Sequence, residues 1–432
     1  MTAARAAVHT PYAFNRGPLR GDVRVPGDKS LSHRALILGA ALAEPLSIEN
    51  LNTGFDVSAT SDALRALGAD VTIDGATGFV RPSQLHSASD TLDCRNSGST
   101  ARMMLGVCAG ANLSATMDGD ESLRRRPMEP VAAQLRAFGA LIETEDGYLP
   151  ATISGTPTIQ TRDFILLFPS AQVKSALLFA ALFSRVAISM INDAGSRDHT
   201  ERLLEDFGAQ IRYNRHGVEF EPSDLTPRPV KIPGDFSAAA FFIVAATIVQ
   251  GSAVRLRDVG VNPTRTGLVD ALRAMGASIV FSNERQWNNE PVADIEVKAS
   301  ALRGASFGLD IAARAIDEVP VLAVAAACAD GTTRIMGLRQ LRQKESDRLL
   351  AIEQMLKASG VSVEIGTDDI QIAGPASSFT QERRIDGGGD HRIVMTAAPL
   401  AAALGPIVVA GNGSPDVSFP NFIDEWSAAQ AP

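Results

Sequence analysis

An internal repeat constrains the fold of this chain more than any other feature. The phrase LRALGA at 64–69 returns as LRAFGA at 135–140, LEDFGA at 204–209, LRAMGA at 272–277 and, more loosely, LKASGV at 356–361. Its glycines, Gly68, Gly139, Gly208, Gly276 and Gly360, lie 71, 69, 68 and 84 residues apart. Each phrase closes an amphipathic helix, with the glycine at the C′ position where a left-handed backbone ends the helix. Alternating strands follow at 70–74, 141–144, 210–213, 278–282 and 362–365. Four of the five then turn into a second strand, at 75–80, 147–153, 217–220 and 368–372. Upstream, the first unit has room for a strand at 23–25, a helix at 30–43 and a strand at 46–49. The unit therefore reads β-α-β-α-β-β. Its period exceeds that of a solenoid, roughly 20–50 residues, and suits a small α/β layer used several times. Five copies and a degenerate sixth containing 390–404 divide into two halves of three. The boundary falls at 227–234, where prolines cluster and Pro-Gly recurs before Asp235-Phe236-Ser237.

Bulk properties narrow the function. A chain of 432 residues holds two or three domains, and 45% hydrophobic with 21% charged residues is a globular composition. A net charge of −9 argues against a nucleic-acid partner bound through a basic surface. The longest apolar stretches, 238–249 and 321–329, fall short of the roughly 20 residues a membrane span needs. Residues 1–10 are Ala-rich and lack the apolar core of a secretory signal. Cys94, Cys108 and Cys328 form no metal-type cluster and fit a reducing cytoplasm.

The polar groups gather at helix starts. In PGDKSLSHR (26–34), Lys29, Ser30 and Arg34 sit at the mouth of an apolar helix. Free backbone N–H groups and the positive end of the dipole favour an anion there. In NSGSTAR (96–102), small polar residues around Gly98 let backbone approach a ligand closely. GDESLRRRPM (119–128) carries three successive arginines before a helix-starting proline. Ser170, Ala171 and Gln172 follow Pro169 and open a strongly apolar helix. Lys174 near its start is unfavourable unless an anion or carboxylate offsets it. SRDHTE (196–201) is also a good ordinary cap. Asp317-Glu318 precede the run 319–329. QKESDR (343–348) opens a helix at 349–359, with Lys344 and Arg348 four apart on one face. Finally, a glycine loop places Asp390, His391 and Arg392 at another helix start. Each segment alone also reads as a capped or solvated helix start.

Taken in order, PGDKSLSHR, NSGSTAR, GDESLRRRPM, SAQVKS, SRDHTE, IDEVP, QKESDRL and GDHR resemble the 5-enolpyruvylshikimate-3-phosphate synthase family over about residues 19–426. The resemblance implies the enolpyruvyl transferase fold, an inside-out α/β barrel of two domains, each of three β-α-β-α-β-β repeats. One domain is discontinuous, residues 1–22 plus 234–432, and the other spans 23–233, with the active site in the cleft between them. The implied reaction transfers the enolpyruvyl group of phosphoenolpyruvate to the 5-hydroxyl of shikimate 3-phosphate and releases phosphate, without metal or organic cofactor. The implied partners are those two small molecules, with no nucleic acid and no membrane, for a cytoplasmic monomer.

The matching positions carry the family's roles over. Lys29, Ser30, Arg34, Ser170, Ala171, Gln172, Arg197, Asp317 and Lys344 are expected to hold shikimate 3-phosphate. Lys29, Asn96, Gly98, Arg126, Gln172, Arg348 and Arg392 are expected to hold phosphoenolpyruvate. Together the substrates carry roughly −5 to −6 charge, taking about −1.5 to −2 per phosphate, so a local cation cluster is required. Asp317 is the expected base for the 5-hydroxyl. Glu345 is the expected proton donor to C3 of phosphoenolpyruvate, which requires its pKa to be raised by enclosure against the opposing neighbouring cations. Lys29 and His391 are alternative proton carriers. Gln340 stands where some members carry asparagine, and Val417 stands where some carry a lysine before Ser418-Phe419-Pro420. Gly98, alanine in some members insensitive to glyphosate, leaves room for that inhibitor. The related transferase acting on UDP-N-acetylglucosamine usually has asparagine after the first lysine and a cysteine in the loop matching 119–127. Here the residue is Ser30 and that loop has no cysteine. A non-catalytic phosphometabolite binder would be expected to lose Asp317, Glu345 or Lys29; all are present.

Overall fold

All five repeat glycines have the left-handed backbone that ends a helix: φ is +90° at Gly68, +113° at Gly139, +83° at Gly208, +106° at Gly276 and +79° at Gly360. The computed structural model describes residues 11–155, 159–166, 170–411 and 413–431. The reading of residues 1–10 and Pro169 of the fourth loop lie outside them. After each glycine comes the expected strand, Asp70–Asp74, Leu141–Glu145, Gln210–Asn214, Ser278–Trp287 and Ser362–Ile365. Each pairs antiparallel with the strand that follows it. The four expected hairpins are in fact five. Ser278–Trp287 turns at Asn288 and Asn289, both at positive φ, into Glu290–Lys298. Asparagine tolerates that conformation, so the turn carries no glycine to announce it.

The described residues form six sheets, five of four strands and one of three. The unit closes in an unexpected way at two places. The strand expected at 23–25 is Arg20–Val23, and it runs parallel to Ala253–Gly260 in the fourth sheet. The first sheet is completed instead by Val230–Lys231, parallel to Leu46–Glu49. The last sheet has no C-terminal hairpin; Tyr12–Phe14 pairs antiparallel with Ile407–Ala410 in its place.

Six buried helices lie among these sheets: Lys29–Gly39, Gly98–Gly110, Ala171–Ser184, Phe236–Ile248, Val319–Cys328 and His391–Leu404. Phe236–Ile248 and Val319–Cys328 are apolar nearly all round, as a helix inside a core must be, while Lys29–Gly39 gathers its polar residues in the first two turns. Every residue from Phe236 to Thr247 is buried. Gly98–Gly110 and Ala171–Ser184 touch backbone to backbone. A Cβ at Gly106 would fall 2.1 Å from the Ala176 carbonyl oxygen, and one at Gly110 would fall 2.3 Å from that of Ala180. Apolar side chains segregate into two cores. One runs from Leu31 to Ile232; the other joins Phe14, Leu19 and Val23 to 236–429. Among the described residues no helix is long and apolar enough to cross a membrane.

Candidate active site

The starts of these helices face one another between the two cores. Short polar side chains cap all of them but Val319–Cys328. Asp28 accepts from the Leu31 N–H, Ser97 from Thr100, Ser170 from Val173, Asp235 from Ser237 and Asp390 from Arg392. The positive dipole ends of these helices lie beside side chains that meet across the boundary between the two cores, such as Ser122 with Glu345 and Arg197 with Asp317, a setting for anions.

Asp317, just ahead of Val319–Cys328, is the centre of the charge cluster. Its Oδ2 lies 2.8 Å from Arg197 Nη2, and its Oδ1 lies 3.3 Å from Arg348 Nη1 and 3.5 Å from Lys344 Nζ. Arg392 Nη1 reaches its carbonyl oxygen at 3.5 Å. Burial alone would raise the Asp317 pKa, but Lys344, Arg392, Arg197 and Arg348 outweigh it and hold the group well below the usual carboxylate range. Arg348 is fully buried and also donates from Nε to Asp390 at 2.7 Å.

Glu345 pairs with Arg348 through Nη2 and lies 3.7 Å from Arg126 Nη1. The expectation of a raised pKa is corrected here. Burial does push it up, but Arg348 and Arg126, with Lys29 adding to them, outweigh burial, so the group sits well below its ordinary value. His391 opens His391–Leu404, is buried, and has no partner for Nε2 among the described residues. Burial, then Lys29 and Arg392, push its pKa well down, so it is neutral at pH 7. Lys344 is also lowered, by burial and then by Arg348, against the pull of Asp317.

Arg34 lies in a different setting. It donates to Thr200 Oγ1 at 2.8 Å, Ser175 Oγ at 2.7 Å and the Ser30 carbonyl at 2.8 Å, all of them uncharged. Burial pulls its pKa down to about 10, with the nearby Arg197 adding to that shift. A buried guanidinium beside another, held only by neutral acceptors, has capacity for an anion.

Most of the expected residues come together. Lys29 Nζ is 2.5 Å from Asp56, and its backbone N–H donates to Asp235 at 3.0 Å. Gln172 accepts from Arg102 at 2.7 Å and donates to Ser99 at 3.0 Å. Ala171 gives its carbonyl to Ser175. A Cβ on Gly98 would fall 2.6 Å from guanidinium nitrogens of both Arg102 and Arg126, which places that glycine in the same pocket. Asn96 is turned aside: its amide donates to Asp120 at 2.8 Å, and only its carbonyl faces the cleft, 3.2 Å from Arg126. The offset anticipated for Lys174 is supplied by two buried carboxylates, Asp193 at 2.8 Å and Glu201 at 2.6 Å. The sequence reading missed Asp56, Arg102 and Ser122, whose hydroxyl donates to the Glu345 carbonyl at 2.9 Å across the cleft. Asp56 stands in a plain helix start with no distinguishing pattern; Ser122 and Arg102 lie within GDESLRRRPM and NSGSTAR, where the charged or small neighbours draw the eye and nothing singles these two out.

The model of EPSP synthase (3-phosphoshikimate 1-carboxyvinyltransferase) matches residues 15–426. The chain is 44% identical over 417 residues to 3-phosphoshikimate 1-carboxyvinyltransferase of Desulforudis audaxviator, covering 94% of this chain and 95% of the relative. The protein of that name from Rhodospirillum rubrum is 42% identical, with 97% of each chain covered. Among solved structures, EPSP synthase of Acinetobacter baumannii superposes with a TM-score of 0.85 at 34% identity, over 97% of this chain and 98% of that one. The enolpyruvyl transferase NikO of Streptomyces tendae shares the fold, with a TM-score of 0.76 at 17% identity over 98% of both chains.

Proposed function

The chain belongs to the EPSP synthase (3-phosphoshikimate 1-carboxyvinyltransferase) family, and from that premise we propose how its cleft divides the two substrates. Its reaction transfers the enolpyruvyl group of phosphoenolpyruvate to shikimate 3-phosphate and releases phosphate. The phosphate of shikimate 3-phosphate goes to Ser30, Arg34, Ser170, Ala171 and Arg197, and its ring hydroxyls go to Asp317 and Lys344. Phosphoenolpyruvate goes to Arg126, Arg348 and Arg392, beside Gly98 and the Asn96 backbone. Lys29 and Gln172 stand between the two. The ring of Arg197, Lys344 and Arg348 around Asp317 carries this reading. It sets a partly buried carboxylate, suited to accept from a sugar-like hydroxyl, among the cations that two anions require.

In the mechanism, the 5-hydroxyl adds to C2 of phosphoenolpyruvate and gives its proton to Asp317, while C3 gains a proton from Glu345. The ketal phosphate then returns a C3 proton to Glu345 as its C–O bond to phosphate breaks, and the departing phosphate takes the proton held by Asp317, which restores both carboxyl groups. Without substrate, Asp317, Glu345, Asp56 and Asp390 neutralise the cleft cations. Substrate oxygens compete for the same guanidinium groups, drawing Arg348 and Arg126 off Glu345 and raising its pKa toward the value a proton donor needs. Substrate binding itself thus arms the acid. His391, neutral and buried, is the alternative carrier.

The same proposal includes two domains crossing near residues 24–28 and 232–235, somewhat later than residue 23, because Val23 packs with 236–429. It also includes a cytoplasmic monomer, in keeping with three free cysteines, and glyphosate occupying the phosphoenolpyruvate side. Calorimetric titration tests the partition. Arg126→Ala weakens phosphoenolpyruvate more than shikimate 3-phosphate, and Arg34→Lys does the opposite. The reverse pattern would overturn the assignment.

A further inference from the structure

The tripeptide Pro-Gly-Asp occurs twice, at 26–28 and 233–235, and these are the two places where the chain passes between the cores. The copies are joined as a near-symmetric pair. The Asp28 N–H donates to the Pro233 carbonyl and the Asp235 N–H donates to the Pro26 carbonyl, each at 2.8 Å. Gly27 and Gly234 form an isolated antiparallel bridge between them. Gly27 has no room for a side chain, since a Cβ would fall 1.7 Å from the Asn50 carbonyl oxygen. Each aspartate caps the first buried helix of its own core, Lys29–Gly39 and Phe236–Ile248.

One guanidinium holds both caps. Arg265, 2% exposed, lies 2.7 Å from Asp28 Oδ2 through Nη1 and 3.3 Å from Asp235 Oδ1 through Nη2, with Ser237 Oγ at 2.9 Å. His199 Nε2 approaches it at 3.4 Å, and His199 Nδ1 is 2.7 Å from Glu290. His199 therefore ties the start of the helix beyond Arg197 to the same point. The remaining oxygen of Asp235 accepts the backbone N–H of Lys29 at 3.0 Å. From the guanidinium to the Lys29 peptide there is a single carboxylate.

We propose that Arg265 is a positioning residue for the reaction: by clamping the two crossover aspartates it fixes the Lys29 backbone, and with it the ammonium group between the substrates. The inference rests on the placement of Lys29 proposed above. A planar fork matches two carboxylates at a fixed separation, which a lysine ammonium cannot do. Removing one partner of a buried pair strands the other, so charge-retaining variants are the informative ones.

The test is a double-mutant comparison using calorimetric binding of shikimate 3-phosphate to the full-length protein, with circular dichroism to establish the fold. Arg265→Lys is expected to weaken binding about tenfold and to lower kcat with it, as small misplacements in a site do. In a Lys29→Gln background the same change is expected to shift Kd less than twofold, because the effect passes through Lys29. Asp235→Glu keeps the charge while moving the carboxylate that joins Arg265 to the Lys29 N–H, and is expected to behave the same way, so it carries the test if Arg265→Lys does not fold. Equal losses in both backgrounds would overturn the inference, as would unchanged binding and kcat in folded Arg265→Lys. Lys29→Gln that binds and turns over normally would instead overturn the placement of Lys29 itself, and the inference with it.

Discussion

Arg197 and Asp317 meet across the cleft with Nη2 and Oδ2 2.8 Å apart, yet that nitrogen is not aligned to make a hydrogen bond. Arg197 precedes a helix whose leucines pack in one core; Asp317 precedes a helix buried in the other. The pair has Coulomb attraction without directional commitment, which suits the proposed turn of this guanidinium to a phosphate. Arg197→Ala is accordingly expected to raise KM for shikimate 3-phosphate by roughly tenfold or more, with a smaller change for phosphoenolpyruvate. Steady-state kinetics with each substrate varied in turn would check this; a larger shift for phosphoenolpyruvate would contradict it.

Glu345→Gln removes the proposed proton without removing the shape. Both substrates should bind within a few-fold of normal while kcat falls by about 10²–10⁴, the range for losing a general acid. Near-normal turnover in this variant would take Glu345 out of the proton transfer and leave Lys29 or His391 to supply it.

Gly98→Ala probes the phosphoenolpyruvate pocket. The atoms nearest the new Cβ are the flexible ends of Arg102 and Arg126, so the fold tolerates it while the Arg126 guanidinium is displaced. KM for phosphoenolpyruvate should rise roughly three- to tenfold, and inhibition by glyphosate should weaken by more than that. Inhibition that does not compete with phosphoenolpyruvate would contradict the placement of the inhibitor.

Acid should destabilise the protein early. His33 and His391 are buried and held neutral, chiefly by burial and then by Lys29. Their folded pKa values lie below the unfolded value of about 6.5, so their contribution is present above pH 6.5 and is lost as pH falls below it. Each should cost about 1.4 kcal/mol per pH unit until its folded pKa is reached. Denaturant melts at pH 7, 6 and 5 should show this slope, reduced by about half in His33→Gln; a flat profile would contradict it.

The repeat was legible because its punctuation is local. A glycine at φ +90° or +113° is demanded by the backbone at that residue alone, so Gly68 and Gly139 declare themselves. The Asn288-Asn289 turn makes the same demand but uses residues common elsewhere, and it passed unseen. Which strand completes which sheet was not legible. Arg20–Val23 and Val230–Lys231 are short, and their partners are set by the crossover between cores rather than by their own side chains. The cations of the site were legible as charges at helix starts. Their partners were not: Asp56 on Lys29 and Arg265 on Asp28 are long-range pairings that no spacing encodes. The balance at Glu345 was not legible either: burial and opposing cations were both expected, with Arg348 only three residues on, but which prevails depends on distances and on Arg126, which reaches Glu345 from a remote part of the chain.

The most direct test of the account is phosphate release by the purified protein given phosphoenolpyruvate with shikimate 3-phosphate, beside a parallel reaction with UDP-N-acetylglucosamine and the same pair for Asp317→Asn. The account predicts release with shikimate 3-phosphate alone, and its loss by a factor of about 10² or more in Asp317→Asn. Release with the nucleotide sugar, or full activity without the Asp317 carboxylate, would contradict it.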